Sequence, residues 1–144
     1  MAHVVSLHFE AAPILLRMAR KQVAAAARAV GAVELDAGRV ELAVGEALTN
    51  ARDHGYGGLP GPIELEIAYE PRRFAVTVRD EGRGLRFPDA PDRRTGNRYG
   101  LQVIKELMDE TILQRSGPAG RGTTVRMAIR LGAGVMPHNS STPK

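Results

Sequence analysis

Two segments of alternating polarity, joined by a short turn, constrain this fold more than any other feature of the sequence. In "IELEIAY" (63–69) apolar side chains alternate with Glu64 and Glu66, and "RFAVTVRD" (73–80) repeats the alternation. The turn "EPR" (70–72) between them is typical of a hairpin. A hairpin with one apolar and one polar side predicts an antiparallel sheet that is covered on one face only.

Helical periodicity precedes this hairpin. Pro13 is suited to the first turn of a helix that runs to Gly31, a natural stop. Asp36 is predicted to cap a second helix over 37–54. The apolar stripe of that helix consists of Val40, Val44, Ala47, Leu48 and Ala51. The other predicted elements are a strand at 3–9, loops at 55–62 and 81–100, a helix at 101–109, and strands at 111–115 and 123–131.

This order of elements predicts an α+β fold. We expect a two-layer α/β sandwich (a mixed, mainly antiparallel sheet with helices on one face). The chain of 144 residues is long enough for one domain with its own core, which we expect to span 1–131. The segment 132–144 has no periodicity and is expected to be a disordered tail.

Composition narrows the possible classes of function. Cysteine is absent, which excludes disulfides, thiol nucleophiles and thiolate metal sites. The net charge of +4 invites a nucleic-acid partner, but the arginines are scattered and aromatic residues make up 4%. An Arg-rich solvated surface is therefore the preferred interpretation, and nucleic-acid binding is a minority alternative. No apolar run could span a membrane, and the first residues lack a signal-peptide pattern. We therefore expect a cytoplasmic protein without a membrane partner.

A stripe of polar side chains lies on one side of the second predicted helix. Glu46, Asn50 and His54 are spaced four residues apart and project from the same side, with Asp53 close by. A solvated helix face is the commoner explanation of such a stripe. By itself, therefore, the stripe does not indicate a site, and we interpret His54 as a helix-end residue.

Asp80 continues the inward parity of Phe74 and Val78 at the end of the hairpin. A buried carboxylate is costly unless a hydrogen-bond donor meets it. Gly82 and Gly84 follow at once and would let the backbone approach a ligand closely. The exocyclic amine of an adenine could be that donor, while its flat ring packs on apolar neighbours. An Asx turn at the end of a strand is the alternative interpretation.

Two further segments carry weaker signals. A loop rich in Gly and Arg precedes the helix that opens near Gly100, where free backbone N–H groups would favour an anion such as phosphate. The positive side chains of this region are Arg93, Arg94, Arg98 and Lys105. On the last strand, Thr123 shares the inward parity of Val125, and Asp80 is a candidate partner for its hydroxyl.

These four signals, taken in this order, resemble the Bergerat-fold ATP-binding domain of the GHKL superfamily. The signals are E-x-x-x-N on a helix, D-x-G-x-G after a strand, a glycine-bearing loop before a helix, and G-T-T on the last strand. The similarity covers roughly residues 5–131. In particular, "GEALTNARDHGYG" (45–57) resembles the N-box of the anti-sigma-factor serine/threonine-protein kinases of bacteria.

The resemblance implies ATP and Mg²⁺ as cofactors and assigns roles to matching residues. Asn50 would coordinate Mg²⁺, Asp80 would bind the adenine amine with a water shared with Thr123, and Glu46 would be the general base for a substrate serine. Further nucleotide contacts are implied for Gly82, Gly84, Arg98, Gly100 and Leu101. One amide oxygen is sufficient for the metal, because Mg²⁺ keeps several waters and binds the phosphates as well.

The function implied by the resemblance is that of a kinase that also binds and sequesters a sigma factor. Its substrate would be a STAS-domain anti-anti-sigma protein, and a homodimer is a frequent assembly. Arg17 and Arg20 on the first helix could dock an acidic partner, or could belong to a solvated face. Arg98 stands where this family usually has a glycine in the phosphate lid. That departure motivates the alternative of a nucleotide-gated binding module without efficient kinase activity.

Overall fold

The computed structural model describes residues 3–83, 100–115 and 121–132. Most of the loop predicted at 81–100, including Gly84 and Arg98, lies outside these residues, as does nearly all of the predicted tail. The elements in chain order are β1 (His3–Glu10), α1 (Pro13–Ala29), α2 (Glu34–Asn50), a π-helical turn (Ala51–Gly55), β2 (Pro62–Glu70), β3 (Arg73–Asp80), α3 (Gly100–Leu107), β4 (Glu110–Arg115) and β5 (Thr123–Arg130).

The strands form one five-stranded sheet in the order β1-β2-β3-β5-β4, with every neighbouring pair antiparallel. The predicted hairpin is the β2–β3 pair, in which Tyr69 faces Phe74. The same register aligns Asp80 with Ile63 on β2 and with Thr123 on β5. The predicted α+β class with a mainly antiparallel sheet is confirmed, and Asp80 ends a central strand.

The core lies between the helices and the inward face of this sheet. The predicted helical stripe is buried along its whole length, and the alternating positions of β2, β3 and β5 meet it. The largest fully buried side chains are those of Phe74, Leu48, Ile63, Leu65, Ile104 and Met127. Each such side chain contributes about 1.5–3 kcal/mol by leaving water, so this layer is the main source of stability.

The first helix begins and ends where its sequence predicts. Pro13 opens α1, and Gly31 follows its C-terminus with φ of 108°, a left-handed conformation that favours glycine. No helix within the described ranges is both long and apolar enough to cross a lipid bilayer.

The second helix differs from its prediction at both ends. It begins at Glu34 with Val33 at the N-cap, so the prediction that Asp36 is the cap was wrong. Asp36 lies in the first turn, where a carboxylate interacts favourably with the helix dipole, and it pairs with Arg39 at 3.3 Å. At the other end, α-helical geometry stops at Asn50 and gives way to the π-helical turn.

Candidate functional site

The buried polar side chains of the described residues are Asn50, Asp80, Thr123 and Thr124. Asp80 is 4% exposed to solvent, Asn50 is 7% exposed and Thr123 is 3% exposed. Buried polar groups need hydrogen-bond partners, so a cluster of them inside the core is a candidate for a functional site. Three of these four residues are the polar positions that the sequence singled out.

The Asp80 carboxylate accepts backbone hydrogen bonds from two sides. The Gly82 N–H donates to Oδ1 at 2.9 Å, and the Thr123 N–H donates from the neighbouring strand. Burial raises the pKa of the Asp80 carboxyl group above its ordinary value, against the effect of these two donors. The first bond forms the Asx turn of the alternative interpretation. An Asx turn alone, however, does not require the carboxylate to be buried. A carboxylate has about four lone-pair sites, so Asp80 can accept a further hydrogen bond beside these two.

Gly55 and Gly82 bring the π-helical turn into direct contact with this segment. The Arg83 N–H donates to the Gly55 carbonyl at 3.0 Å, and the Gly122 N–H donates to the Gly82 carbonyl at 2.7 Å. A Cβ on Gly82 would lie 2.1 Å from the Gly55 oxygen, and one on Gly55 would lie 3.0 Å from Asp80 Oδ1. A side chain at Gly82 is therefore excluded, and one at Gly55 would fit only if the Asp80 carboxylate moved by a few tenths of an ångström.

A methyl group at Gly82 is expected to destabilise the protein. Because its Cβ would overlap backbone, Gly82→Ala should lower the free energy of unfolding by about 2–3 kcal/mol. Gly38→Ala is the matched control, since Gly38 lies in α2 with open space around it. This variant should raise the free energy of unfolding by about 0.5–1 kcal/mol. Urea unfolding measures both changes. Equal stability of Gly82→Ala and the wild type would contradict the contact with Gly55.

Helix α2 positions two of the predicted site residues one turn apart. Asn50 is its last residue and is buried, and Glu46 is half-buried. The π-helical turn that follows Asn50 leads directly to Gly55 and so to Asp80. The structure therefore brings Asn50, Asp80, Gly82 and Thr123 to one region, at the end of α2 and the adjoining ends of β3 and β5.

Helix α3 packs against α2. Gly100 is its buried first residue, and Leu101 follows as a half-buried one. Gly84 and Arg98 were also predicted to contact a nucleotide, but they lie outside the described residues. Asp53, from the polar stripe, pairs with its neighbour Arg52 at 3.0 Å, which fits an ordinary half-exposed ion pair.

Glu46 opens onto a groove between α1 and α2. The groove has a volume of about 300 Å³, and its lining includes Arg17, Arg20, Leu42 and Arg52. Arg20 lies 3.5 Å from the Glu41 carboxylate. The groove thus combines an exposed apolar side chain, Leu42, with several cations beside one carboxylate.

Sequence reasoning missed the contributions of Gly55 and Tyr56, because it interpreted His54 as the helix end and 55–62 as a loop. In the structure the Tyr56 hydroxyl accepts a hydrogen bond from the Glu81 N–H at 2.7 Å. The available signal was a glycine and an aromatic residue directly after the polar stripe. A glycine there is equally typical of a helix end, so the signal did not separate the two interpretations.

Comparison with known proteins identifies relatives of this arrangement. The model of the histidine kinase-like ATPase domain family matches residues 9–129. An anti-sigma F factor of Thermoanaerobacter sp. (strain X514) is 30% identical over 125 residues, covering 80% of this chain and 85% of the relative. An anti-sigma F factor of Geobacillus stearothermophilus is 32% identical over 97 residues, covering 60% of this chain and 64% of the relative.

Solved structures share the fold. The RsbU and RsbW domains of a Mycobacterium tuberculosis protein superpose with a TM-score of 0.67 at 22% identity, over 90% of this chain and 32% of that chain. The histidine kinase domain of a blue-light activated kinase from Erythrobacter litoralis gives a TM-score of 0.55 at 26% identity, over 81% of this chain and 61% of that one. With the family match over most of the described elements, this chain belongs to the histidine kinase-like ATPase domain family.

Proposed function

We propose that this chain is an ATP-dependent protein serine kinase that also acts as an anti-sigma factor. Its nucleotide site would lie at the end of α2 and the adjoining ends of β3 and β5, and its protein substrate would be a STAS-domain anti-anti-sigma protein. The relatives named anti-sigma F factor support this assignment, because one of them matches 85% of its own length.

The buried Asp80 carboxylate is the observation that carries the nucleotide part of the proposal. Its two backbone donors fix its orientation without exhausting its capacity to accept. The exocyclic amine of adenine would donate to it, and the apolar side chains beside it on β3 would contact the ring. Thr123, aligned with Asp80 across β3 and β5, supplies a hydroxyl for a shared water.

Asn50 is the residue that would hold Mg²⁺. An amide oxygen is the kind of hard ligand that Mg²⁺ prefers. Asn50 is buried at the end of α2, and the turn that follows it leads to Gly55 beside Asp80. When bound, the metal would neutralise charge on the triphosphate. The N-terminus of α3 at Gly100 offers backbone N–H groups to the phosphates.

Glu46 would accept the proton of the substrate serine. The γ-phosphorus forms a bond to the serine oxygen as its bond to the β–γ bridging oxygen breaks, ADP leaves, and the hydroxyl proton passes to Glu46. Such transfer depends mainly on positioning and charge stabilisation, which suits a site built from one base and one metal ligand. The groove beside Glu46 is where the substrate protein would dock, with Arg17 and Arg20 facing acidic groups.

Phosphoryl transfer tests the proposal directly. We expect the γ-phosphate of Mg²⁺-ATP to appear on one serine of a STAS-domain partner, detected by mass spectrometry of the phosphopeptide. A sigma factor should co-elute with the chain in size-exclusion chromatography. ATP binding with no transfer to any partner would instead favour a nucleotide-gated binding module, and absence of ATP binding would exclude both functions.

A further inference from the structure

We infer that Tyr56 is a positioning residue for base selection. Its hydroxyl hydrogen-bonds both to the peptide that follows Asp80 and to Pro62, the first residue of β2, and so joins the two. The inference rests on the proposed nucleotide site. It concerns a residue that the predicted site does not include.

The Tyr56 hydroxyl bridges two backbone groups. It accepts from the Glu81 N–H at 2.7 Å and donates to the Pro62 carbonyl at 2.5 Å. The Glu81 N–H belongs to the peptide bond that joins Asp80 to Glu81, so this hydroxyl fixes the orientation of that peptide plane. Burial and the nearby Asp80 charge raise the pKa of the Tyr56 hydroxyl, and like any phenol the group holds at neutral pH the proton that it donates to Pro62.

The Tyr56 ring and backbone have contacts of their own. Gly61 lies against it, and a Cβ at that position would come within 2.5 Å of the ring carbons. The Tyr56 N–H donates to the Ala51 carbonyl at 3.0 Å, which closes the π-helical turn. The ring also packs against the hydrophobic core. Tyr56 thus links the end of α2, the start of β2 and the end of β3.

The consequence concerns the direction of the Asp80 carboxylate more than the stability of the fold. Gly82 and Thr123 hold the carboxylate, while Tyr56 holds the backbone from which it projects. Adenine presents an amine donor where guanine presents a carbonyl acceptor. A correctly aimed carboxylate therefore favours ATP over GTP, and a loosened one loses part of that preference.

The test compares ATP and GTP affinities by calorimetry in Tyr56→Phe and the wild type. Loss of the hydroxyl should weaken ATP binding about tenfold, leave GTP binding nearly unchanged, and keep the melting temperature within a few degrees. Gly61→Ala, which displaces the ring, should reduce the ATP preference in the same direction. The double variant should lose less ATP preference than the two single variants lose together, because both changes act on one contact.

Tyr69→Phe is the matched control, since Tyr69 lies at the far end of β2 and should retain the full ATP preference. An unchanged preference in Tyr56→Phe would overturn the inference, as would equal weakening of ATP and GTP, which is what a general structural defect produces. A wild type without any preference for ATP would overturn the proposed adenine site itself. The two failures are therefore distinguishable.

Discussion

The Asp80→Asn variant is expected to bind ATP about a hundredfold more weakly than the wild type. The substitution removes the charge that an adenine amine would meet, and hydrogen bonds to charged groups are worth about 1.5–3 kcal/mol. It also turns an amide donor toward one of the two backbone N–H groups that now bind the carboxylate. Isothermal titration calorimetry with Mg²⁺-ATP measures the loss.

The fold should survive this change. Asn has the shape of Asp, and loss of the buried charge offsets the cost of the backbone N–H that the amide leaves unpaired, so the melting temperature without nucleotide should stay within a few degrees of wild type. Asp36→Asn serves as the matched control, because Asp36 lies in the first turn of α2 and should leave ATP affinity unchanged. Wild-type ATP affinity in Asp80→Asn would show that the carboxylate does not contact the base.

The hairpin and the parity of its residues could be predicted because alternation is a local property. Burial of Asp80 follows from the same parity that buries Phe74 and Val78, and pairing of β3 with β5 then aligns Thr123 with it. Antiparallel register thus converts two separate sequence signals into one neighbourhood. For that reason the buried polar cluster of the candidate site could be predicted from the sequence.

The end of α2 was not accessible in the same way. The residues 51–54 favour continuation of an α-helix, yet the chain forms a π-helical turn that closes with the Tyr56 N–H on the Ala51 carbonyl. This turn presents Gly55 to Gly82, a residue distant in sequence, at a separation that excludes a side chain. Such a contact depends on tertiary packing, which overrides local propensity and leaves no periodic signal.

The start of α2 was missed for a different reason. Asp is favoured both at the N-cap, where it accepts a backbone N–H, and in the first turn, where it interacts with the helix dipole. Asp36 takes the second position and pairs with Arg39. Because both positions are satisfied by the same side chain, its presence limits the helix start only to within a few residues.

The Glu46→Gln variant is expected to lose phosphoryl transfer while keeping nucleotide affinity. The amide cannot accept the proton of the substrate hydroxyl, and removal of a general base costs about 10²–10⁴ in rate. Asn50 and Asp80 are unchanged, so the dissociation constant for Mg²⁺-ATP should stay within about twofold. Single-turnover transfer to the STAS-domain partner measures the rate, and calorimetry measures the affinity.

Glu34→Gln is the matched control for this substitution, since Glu34 belongs to the same helix but pairs with Arg28 at 2.7 Å, away from the groove. It should transfer phosphate at the wild-type rate. Transfer by Glu46→Gln within about threefold of wild type would remove Glu46 from the chemistry, because an essential base contributes far more. If the wild type binds ATP but transfers nothing, Glu46 and the cations of its groove serve to bind a partner, and nucleotide binding regulates that contact.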